Sequence, residues 1–435
     1  MSKSTAPTDD SVQFSTGYSN YVLAVLFIVY VVNFIDRQVL SVFIGPIKEE
    51  FGASDTQMGL LVGFAFALLY TIAGIPIARW ADKGSRRNII AIGLTVWSAF
   101  TVLSGFAKSF GQLAIARVGV GIGEAAGSPP AHSLIADYFP VSKRGTALAI
   151  YAAGAFVGGA IAFLCGGYLR EFFDWRTAFI VVGAPGLLIA LLVRFTVKEP
   201  PRGYSEQRTG ENASSTLKET LVFLYGSKAW VFMMAGYSLL SLTGYAILMW
   251  GFEFLARIHG MNPISTGQLM GIVIGVGGSL GALIGGRLVD KMSLIKVSRA
   301  VSVPALITLA GLPVGAVFLM SQTQTMAMWT FLPFFLMLNI YIPAMFSTNQ
   351  NLAKLDMRAT ASAIMLFIVN IVGAGAGPLL VGALSDVFAA EHGIESIRYA
   401  LLCAVGLGVI GALLLLYCSR YLEEDLKRAH SAAVE

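Results

Sequence analysis

The stretch that decides the fold is Asn33-Phe34-Ile35-Asp36-Arg37, which lies inside the apolar run Tyr21–Gly45. About 20 apolar residues span the ~30 Å hydrocarbon core of a bilayer, so this run is long enough to cross one. An acid beside a base at that depth costs roughly 2.5–3.5 kcal/mol for each residue on insertion scales. Such residues face a bundle interior or a water-filled path, and they mark routes for ions or substrates. The alternative is that Asp36 and Arg37 only hold neighbouring helices together.

The composition is that of a polytopic membrane protein. Of the 435 residues, 56% are hydrophobic and only 13% are charged, and the mean hydropathy is +0.72. A soluble domain carries about 25% charged residues. The net charge of +5 does not indicate nucleic-acid binding, because the basic residues lie in short loops between apolar spans. The three cysteines lack metal-ligand spacing and the spans lack Ser/His/Asp constellations, so we expect no metal, no cofactor and no enzyme activity.

Twelve apolar spans are predicted, all helical, because a backbone in lipid must satisfy its own hydrogen bonds. The predicted limits are 20–46, 56–78, 88–107, 111–131, 146–169, 176–196, 229–255, 265–287, 298–320, 326–348, 360–384 and 397–419. The predicted fold is an all-α membrane protein of two pseudo-symmetric six-helix bundles, 20–197 and 228–420. The polar segments are a tail at 1–19, a linker at 198–227 and a tail at 421–435. A short surface helix is expected near Ser215–Tyr225.

The basic residues predict the orientation. Of the 30 Lys and Arg residues, 21 lie on the side of the termini and the linker, and six lie on the other side. Cytoplasmic loops carry the excess of Lys and Arg, so both termini and the linker are expected in the cytoplasm. The polar N-terminus is not a cleaved signal peptide, and the expected location is multi-pass in a bacterial inner membrane.

The two halves repeat a loop. Ala78-x-x-x-Asp82-Lys83 follows the second span, and Gly286-x-x-x-Asp290-Lys291 follows the eighth, 208 positions later. Duplicated six-span halves are typical of carriers that work by alternating access. The first loop resembles the signature loop of the major facilitator superfamily, Gly-x-x-x-Asp-Arg-x-Gly-Arg-Arg, and departs from it at Ala78, Lys83 and Ser85. The resemblance implies a conformational latch formed by Asp82, Lys83, Arg86, Arg87 and Asp290. The alternative is a solvated turn.

The fourth span carries a second intramembrane acid. Arg117 and Glu124 are seven residues apart, hence nearly on one helix face and about 10 Å apart along the axis. Asp36 and Glu124 are the two acids assigned deep inside spans, and both have an arginine nearby. Exchange of ion pairs can load and release a proton, so these two residues are the predicted proton-coupling groups. A purely structural ion pair is the alternative.

The second half is predicted to be apolar. Its spans carry no deep charge but hold mid-span polar residues, among them Asn339 and Asn370, within many Met, Phe and Leu residues. Those apolar residues either face lipid and pack helices or line a cavity. A cavity that is polar in one half and apolar in the other suits an amphipathic substrate. The predicted substrate-binding residues are Arg37, Asn33, Arg117, Asn339 and Asn370.

Several motifs together resemble the spinster family. They are Asn33-x-x-Asp36-Arg37-x-x-Leu-Ser, Ser54-Asp55-x-Gln57-x-Gly-Leu-Leu, Trp97-Ser98, Arg117-x-Gly-x-Gly-x-Gly-Glu124-Ala, Ser133-Leu-Ile-x-Asp137-Tyr-Phe-Pro140 and Trp175-Arg176-x-Ala-Phe. The match covers nearly all of the first half, and the second half resembles only the superfamily. The resemblance implies transport of lysophospholipids or sphingosine phosphate-type lipids. It also implies that Asp36, Arg37 and Glu124 are cavity residues tied to proton sensing and conformational change.

The sequence therefore predicts a proton-linked secondary transporter that works by alternating access on an amphipathic, lipid-like substrate. The expected partners are this substrate, protons and membrane lipids, without nucleic acid, and the expected assembly is a monomer. Two alternatives stay open. One is a proton-coupled organic-anion symporter, because related families share the Asp-Arg pattern of the first span. The other is a membrane sensor that binds ligand without transporting it.

Overall fold

The computed structural model describes residues 14–201, 216–354 and 357–431. In the first half the helices are α1 (Thr16–Val42), α2 (Ile44–Phe51), α3 (Asp55–Gly59), α4 (Ala65–Lys83), α5 (Arg86–Ser104), α6 (Phe110–Glu124), α7 (Ser128–Tyr138), α8 (Val141–Phe172) and α9 (Trp175–Thr196). A helix α10 (Leu217–Tyr225) follows. The surface helix expected in the linker is therefore confirmed, whereas most of the rest of the linker lies outside the described residues.

In the second half the helices are α11 (Lys228–His259), α12 (Pro263–Ile272), α13 (Ser279–Ile295), α14 (Arg299–Met320), α15 (Gln324–Asn339), α16 (Ile342–Leu352), α17 (Arg358–Asn370), α18 (Gly377–His392), α19 (Ser396–Cys418) and α20 (Leu422–Ser431). Both described ends of the chain lie on one side of the bundle, here called the termini face. The opposite side, which carries the α1–α2 and α11–α12 connections, is called the far face.

Twelve crossings of the membrane account for the described helices. Ten helical segments are long and apolar enough to cross, and one of them, Thr360–Cys418, turns back at Gly393 and crosses twice. The broken helix α6–α7 is a further crossing. The all-α fold of two six-helix halves predicted from the apolar spans is thus confirmed.

Three spans contain a π-helical turn where the two halves meet. These turns are Leu60–Phe64 between α3 and α4, Val273–Gly278 between α12 and α13, and Ile371–Ala376 between α17 and α18. Such turns are rare and are frequently found at functional sites. A Cβ added at Gly63 would lie 2.8 Å from the carbonyl oxygen of Gly375, so the first and third turns touch backbone to backbone. Glycine is needed there for that close approach.

The closest approaches between the halves lie toward the far face. A Cβ on Gly382 of α18 would lie 2.1 Å from the carbonyl oxygen of Asp55 at the start of α3. On the other side of the bundle, a Cβ on Gly267 of α12 would lie 2.4 Å from the carbonyl oxygen of Phe163 on α8. These contacts join the two halves at the far face.

Candidate functional site

An ion pair between α1 and α6 forms the centre of the site. Arg37 donates to one carboxylate oxygen of Glu124, with its Nε at 3.1 Å and its Nη2 at 2.8 Å. Glu124 is the last residue of α6, and the chain turns through Ala125–Gly127 before two prolines begin α7. The negative end of a helix dipole disfavours a carboxylate. The guanidinium of Arg37 offsets that repulsion, so the pair depends on its cation.

Aromatic rings surround the Arg37 guanidinium. Its central carbon lies 5.1 Å from the ring centre of Phe34, 4.7 Å from that of Phe66 and 5.2 Å from that of Tyr70. Tyr245 of α11 faces it from the second half. The side chain of Arg37 is 14% exposed, whereas that of Glu124 is fully buried. Arg37 is therefore the member of the pair that a solute can reach.

Asp36 lies in a different environment from its neighbour. Its carboxylate is fully buried, and neither oxygen has a hydrogen-bond partner among the described residues. Trp97 and Thr101 of α5 and the guanidinium of Arg117 face it. Arg117 is buried and donates through Nη2 to the backbone carbonyl of Asp36 at 3.4 Å. The two acids predicted from the sequence are thus both buried, and each has an arginine of the first half beside it.

The side chains of Asn33 and Arg117 lie beside the buried acids Glu124 and Asp36, and they do not line the cavity between the two halves. The amide of Asn33, which is buried on α1, faces Glu124. The second carboxylate oxygen of Glu124 has no hydrogen-bond partner among the described residues. The structure therefore places Asn33, Arg117 and both acids around Arg37 in one polar layer of the first half.

A cavity of about 210 Å³ lies beside this polar layer, between the two halves. Its first-half wall comes from α1 and α8, and its second-half wall comes from α11, the π-helical turn after α12, α15 and α16. The lining residues are Phe34, Gln38, Ala155, Phe156, Gly159, Ser241, Gly244, Tyr245, Leu248, Ile274, Phe335, Leu338, Asn339, Tyr341 and Ile342. The walls are mostly apolar, which is typical of sites for small ligands.

The two asparagines predicted in the second half have different positions. Asn339 lines the cavity, although its side-chain amide donates to the carbonyl of Phe335 at 2.7 Å. Asn370 is partly buried at the end of α17 and is not among the lining residues. Sequence reasoning missed Gln38, which lines the cavity and directly follows the Asp36-Arg37 pair. The available signal was its position in the first apolar span, immediately after the two charged residues.

On the termini face, Arg86 organises contacts within the first half. It is buried and pairs with Asp137, and its Nε donates to Glu199 at 2.7 Å. Its Nη2 donates to the carbonyl of Pro200 at 2.8 Å. Burial raises the pKa of Glu199, but hydrogen bonds from the Arg87 backbone, Arg86 and Ser85 outweigh it and hold that pKa below its usual value. The start of the linker is therefore clamped to the loop before α5.

The other residues of the predicted latch make fewer contacts. The side chain of Asp82 lies outside the part of the chain that the structure describes. Lys83 is the last residue of α4, and Asp290 lies near the end of α13. Both side chains are exposed. Arg87 donates to Asn88 at 3.1 Å and to the carbonyl of Val197 at 3.4 Å. Those contacts of Arg87 stay within the first half.

At the far face, an ionic network joins the two halves. Asp55 at the start of α3 accepts from Arg257 of α11 at 2.9 and 3.1 Å, from Lys48 at 2.6 Å and from Ser385 at 2.7 Å. Asp386 of α18 accepts from the first two backbone N–H groups of α3 at 3.0 and 2.8 Å. It therefore caps a helix of the opposite half.

The network continues along α11. Glu253 is buried, pairs with Arg257 at 3.2 Å and lies 3.7 Å from Arg170 of α8. Two helices of the first half are thus tied to α11 through alternating charges. Sequence reasoning missed this network, because it assigned these residues to loops and span ends.

Comparisons with known proteins identify the family. Residues 26–378 match the family model of the Major Facilitator Superfamily. An MFS-type efflux pump of Mycolicibacterium smegmatis is 31% identical over 413 residues, which cover 94% of each chain. Protein spinster homolog 1 of Xenopus tropicalis is 26% identical over 447 residues, covering 95% of this chain and 82% of that protein.

One solved structure is similar over almost the whole chain. It is a bacterial homologue of the human lysosomal transporter spinster in an inward-facing, unoccupied conformation, with 30% identity and a TM-score of 0.87. The match covers 95% of this chain and 99% of that one. These matches agree with the helical arrangement and with the motifs of the first half. The chain therefore belongs to the major facilitator superfamily and, within it, to the spinster family of transporters.

Proposed function

We propose that this transporter is proton-linked and carries an amphipathic, lipid-like anion by alternating access. One observation carries the proposal: the partly exposed cation of the buried Arg37–Glu124 pair lies against Phe34 and Tyr245, which line a mostly apolar cavity between the two halves. Phe34 joins the two features, because its ring touches the guanidinium and also lines the cavity. A substrate with its anionic head at Arg37 and its hydrocarbon chain in the cavity would use both the cation and the apolar walls.

The state of the far face supports alternating access. Asp55 and Asp386 link α3 to α11 and α18, so the halves are joined on that side. The similar spinster homologue was solved both unoccupied and occupied in an inward-facing conformation, and this chain superposes on the two with TM-scores of 0.87 and 0.83. With the termini face in the cytoplasm, as the 21-to-six distribution of basic residues favours, the present conformation faces inward.

The proton acts through competition for Arg37. The ionised Glu124 holds the guanidinium with two hydrogen bonds to one oxygen. A protonated Glu124 no longer holds it as an ion pair, so the cation becomes available to the substrate. Each charged hydrogen bond contributes roughly 1.5–3 kcal/mol, which corresponds to tenfold or more in an equilibrium constant because ~1.4 kcal/mol is one decade. Asp36, beside Arg117, is a second site that can take up a proton.

Further parts of the proposal concern the whole chain. We propose that the bundles 20–197 and 228–420 move as units about the cavity. We also propose that the protein works as a monomer in a bacterial inner membrane.

Asp82 is proposed to latch the termini face when the carrier faces outward. Asp82→Asn should then favour inward-facing molecules and slow turnover while leaving ligand affinity within a few-fold. Spin-label distances across the termini face test this, and unchanged distances would remove the latch.

Transport into liposomes tests the substrate class. Purified protein should exchange radiolabelled one-chain phospholipids across the bilayer faster than empty liposomes do, and it should ignore small carboxylates. Arg37→Ala should abolish this exchange, because it removes the cation that receives the head. Arg194→Ala, at an exposed position near the end of α9, is the matched control and should transport normally. Transport of small carboxylates alone would contradict the lipid assignment.

A proton-coupled organic-anion symporter is the second candidate. The probable L-galactonate transporter of Escherichia coli is 29% identical over 296 residues, which cover 65% of each chain. Arg37 would bind a small carboxylate equally well, because a guanidinium fork matches any carboxylate. The largely apolar cavity favours the amphipathic substrate, and the liposome experiment separates the two candidates.

A further inference from the structure

Gln38 is a buried polar group that the charged centre does not use. Its side chain lines the cavity and it is only 1% exposed. Its amide oxygen has no hydrogen-bond partner among the described residues. Buried polar atoms are nearly always hydrogen-bonded, so each exception needs an explanation. Here the unpaired oxygen belongs to a side chain that borders space large enough for part of a ligand.

The position of Gln38 relative to Arg37 is fixed by the helix. Consecutive residues of an α-helix point about 100° apart, whereas residues four apart share a face. Gln38 therefore lies one turn after Phe34 on the cavity side, and both line it. Because Phe34 also touches the Arg37 guanidinium, a ligand held at Arg37 extends past Phe34 toward Gln38.

The opposite wall does not supply the missing donor. The side-chain amide of Asn339 is bonded to the carbonyl of Phe335. The hydroxyl of Ser241 points to the carbonyl of Val369 at 3.5 Å. These groups are engaged within the second half, so neither of them supplies a donor to the buried oxygen of Gln38, which has no partner among the described residues.

The charge of the cavity decides which donor fits. None of the lining side chains is an Asp, Glu, Lys or Arg. An ammonium group placed there would be buried without a counter-ion, which is strongly unfavourable. A hydroxyl group is neutral and donates one hydrogen bond at no such cost.

We propose that Gln38 accepts a hydrogen bond from a hydroxyl group of the substrate, located between its anionic head and its hydrocarbon chain. This rests on the proposed function, and it narrows the substrate class to hydroxylated amphiphiles such as one-chain glycerol phosphates. Gln38 is then a specificity residue. It rejects the same amphiphile without the hydroxyl, because its own amide would stay unpaired in that complex.

Competition between two ligands tests the proposal. The pair is a one-chain acylglycerol phosphate with a free secondary hydroxyl and its 2-deoxy analogue, offered at equal concentration to the full-length protein in nanodiscs. Native mass spectrometry reads the ratio of the two bound populations. The wild type should prefer the hydroxylated ligand by about tenfold, the value of one buried hydrogen bond. Gln38→Met, which keeps the length of the side chain, should bring the ratio to about one.

Two controls distinguish a failure of the role proposed for Gln38 from a failure of the proposed function. Gln38→Glu keeps an acceptor oxygen and should retain a preference for the hydroxylated ligand. Binding of the deoxy analogue depends on Arg37 and should persist in Gln38→Met, at an affinity no lower than in the wild type, which also reports that this variant is folded. Equal binding of the two ligands by the wild type would overturn the role of Gln38 and leave the proposed function standing. Binding of neither ligand would overturn both.

Discussion

At the scale of single residues, Asp36 and Arg37 are neighbours in sequence that act in different places. Arg37 pairs with Glu124 and packs against Phe34, which lines the cavity, whereas Asp36 is enclosed with Trp97 and Thr101. The hydropathy of the first span was enough to predict that these charges lie at membrane depth. The choice of Glu124 as the partner of Arg37 could not be predicted, because it depends on how α1 and α6 pack.

Gln38 shows the limit of sequence reasoning at this scale. A glutamine within an apolar span can bond to a neighbouring helix or border a cavity, and only the tertiary arrangement distinguishes the two. Asn370 shows the opposite error, since a mid-span polar residue need not reach the cavity. Charge at depth is therefore a stronger signal than polarity, because its cost is larger.

Glu199 yields a prediction about pH. Its pKa lies below the usual value, since hydrogen bonds from Arg87, Arg86 and Ser85 outweigh its burial. A carboxylate with a depressed pKa stabilises the fold fully above its unfolded-state pKa, and this stabilisation is lost as pH falls through its folded-state pKa. Glu199→Gln should therefore lower the apparent melting temperature at neutral pH and lose that deficit in acid.

The control for that prediction is Glu171→Gln. Glu171 is exposed near the end of α8, so its variant should melt like the wild type at every pH. Fluorescence-monitored melting in one detergent provides the comparison. A Glu199→Gln deficit that stays constant from neutral pH to acid would show that the clamp does not depend on the charge of Glu199.

At the scale of helices, the length of the apolar runs predicted the spans, and the structure moves their ends by up to eight residues. The π-helical turns could not be predicted, and two of them lie where glycines of two helices approach closely. Gly63 and Gly375 lie in different halves, and neither sequence segment alone shows that they meet. The cap that Asp386 places on α3 is hidden for the same reason.

The contact of α3 with α11 and α18 yields a prediction about the conformation of the transporter. Asp55→Asn keeps the size of the side chain but leaves Arg257 with a weaker partner, and removing one member of a buried ion pair costs about 3–5 kcal/mol. The variant should shift molecules toward the outward-facing state. Spin labels at the exposed positions Lys108 and Gln322, on the far face of the two halves, should then show a longer distance in a larger fraction of molecules.

Asp174→Asn is the matched control for this experiment. Asp174 is also an acid of the far face, but it caps α9 within the first half, accepting from the backbone N–H of Thr177 at 2.7 Å. Its variant should leave the distance distribution unchanged. An unchanged distribution for Asp55→Asn would mean that the network does not hold the far face closed.

At the scale of the whole molecule, the distribution of basic residues predicts the orientation in the membrane. The prediction is that α10 and both termini lie in the cytoplasm and that the α5–α6 connection lies outside. Single cysteines at Lys218 and Lys108, both exposed, test this in intact cells after the native cysteines are replaced. A membrane-impermeant reagent should label the cysteine at position 108 only, and labelling at 218 alone would reverse the orientation.

The proposed coupling of a proton to an amphiphile rests on a division of roles between the two halves. The first half supplies the charged centre of Asp36, Arg37, Arg117 and Glu124, and the second half supplies most of the apolar wall of the cavity. The sequence predicted this division from the absence of deep charge in the second half. It could not predict the far-face network, whose charged residues lie at span ends and look like ordinary loop charges.

The central claim is that protonation of Glu124 frees Arg37 for the anionic substrate. Its most direct test is the affinity for a one-chain phospholipid, measured against pH in the wild type and in Glu124→Gln. The account predicts that wild-type affinity rises as Glu124 takes up its proton, and that Glu124→Gln binds as tightly as the protonated wild type at every pH. If both proteins show the same dependence on pH, Glu124 is a structural partner of Arg37 and the proposed proton switch is contradicted.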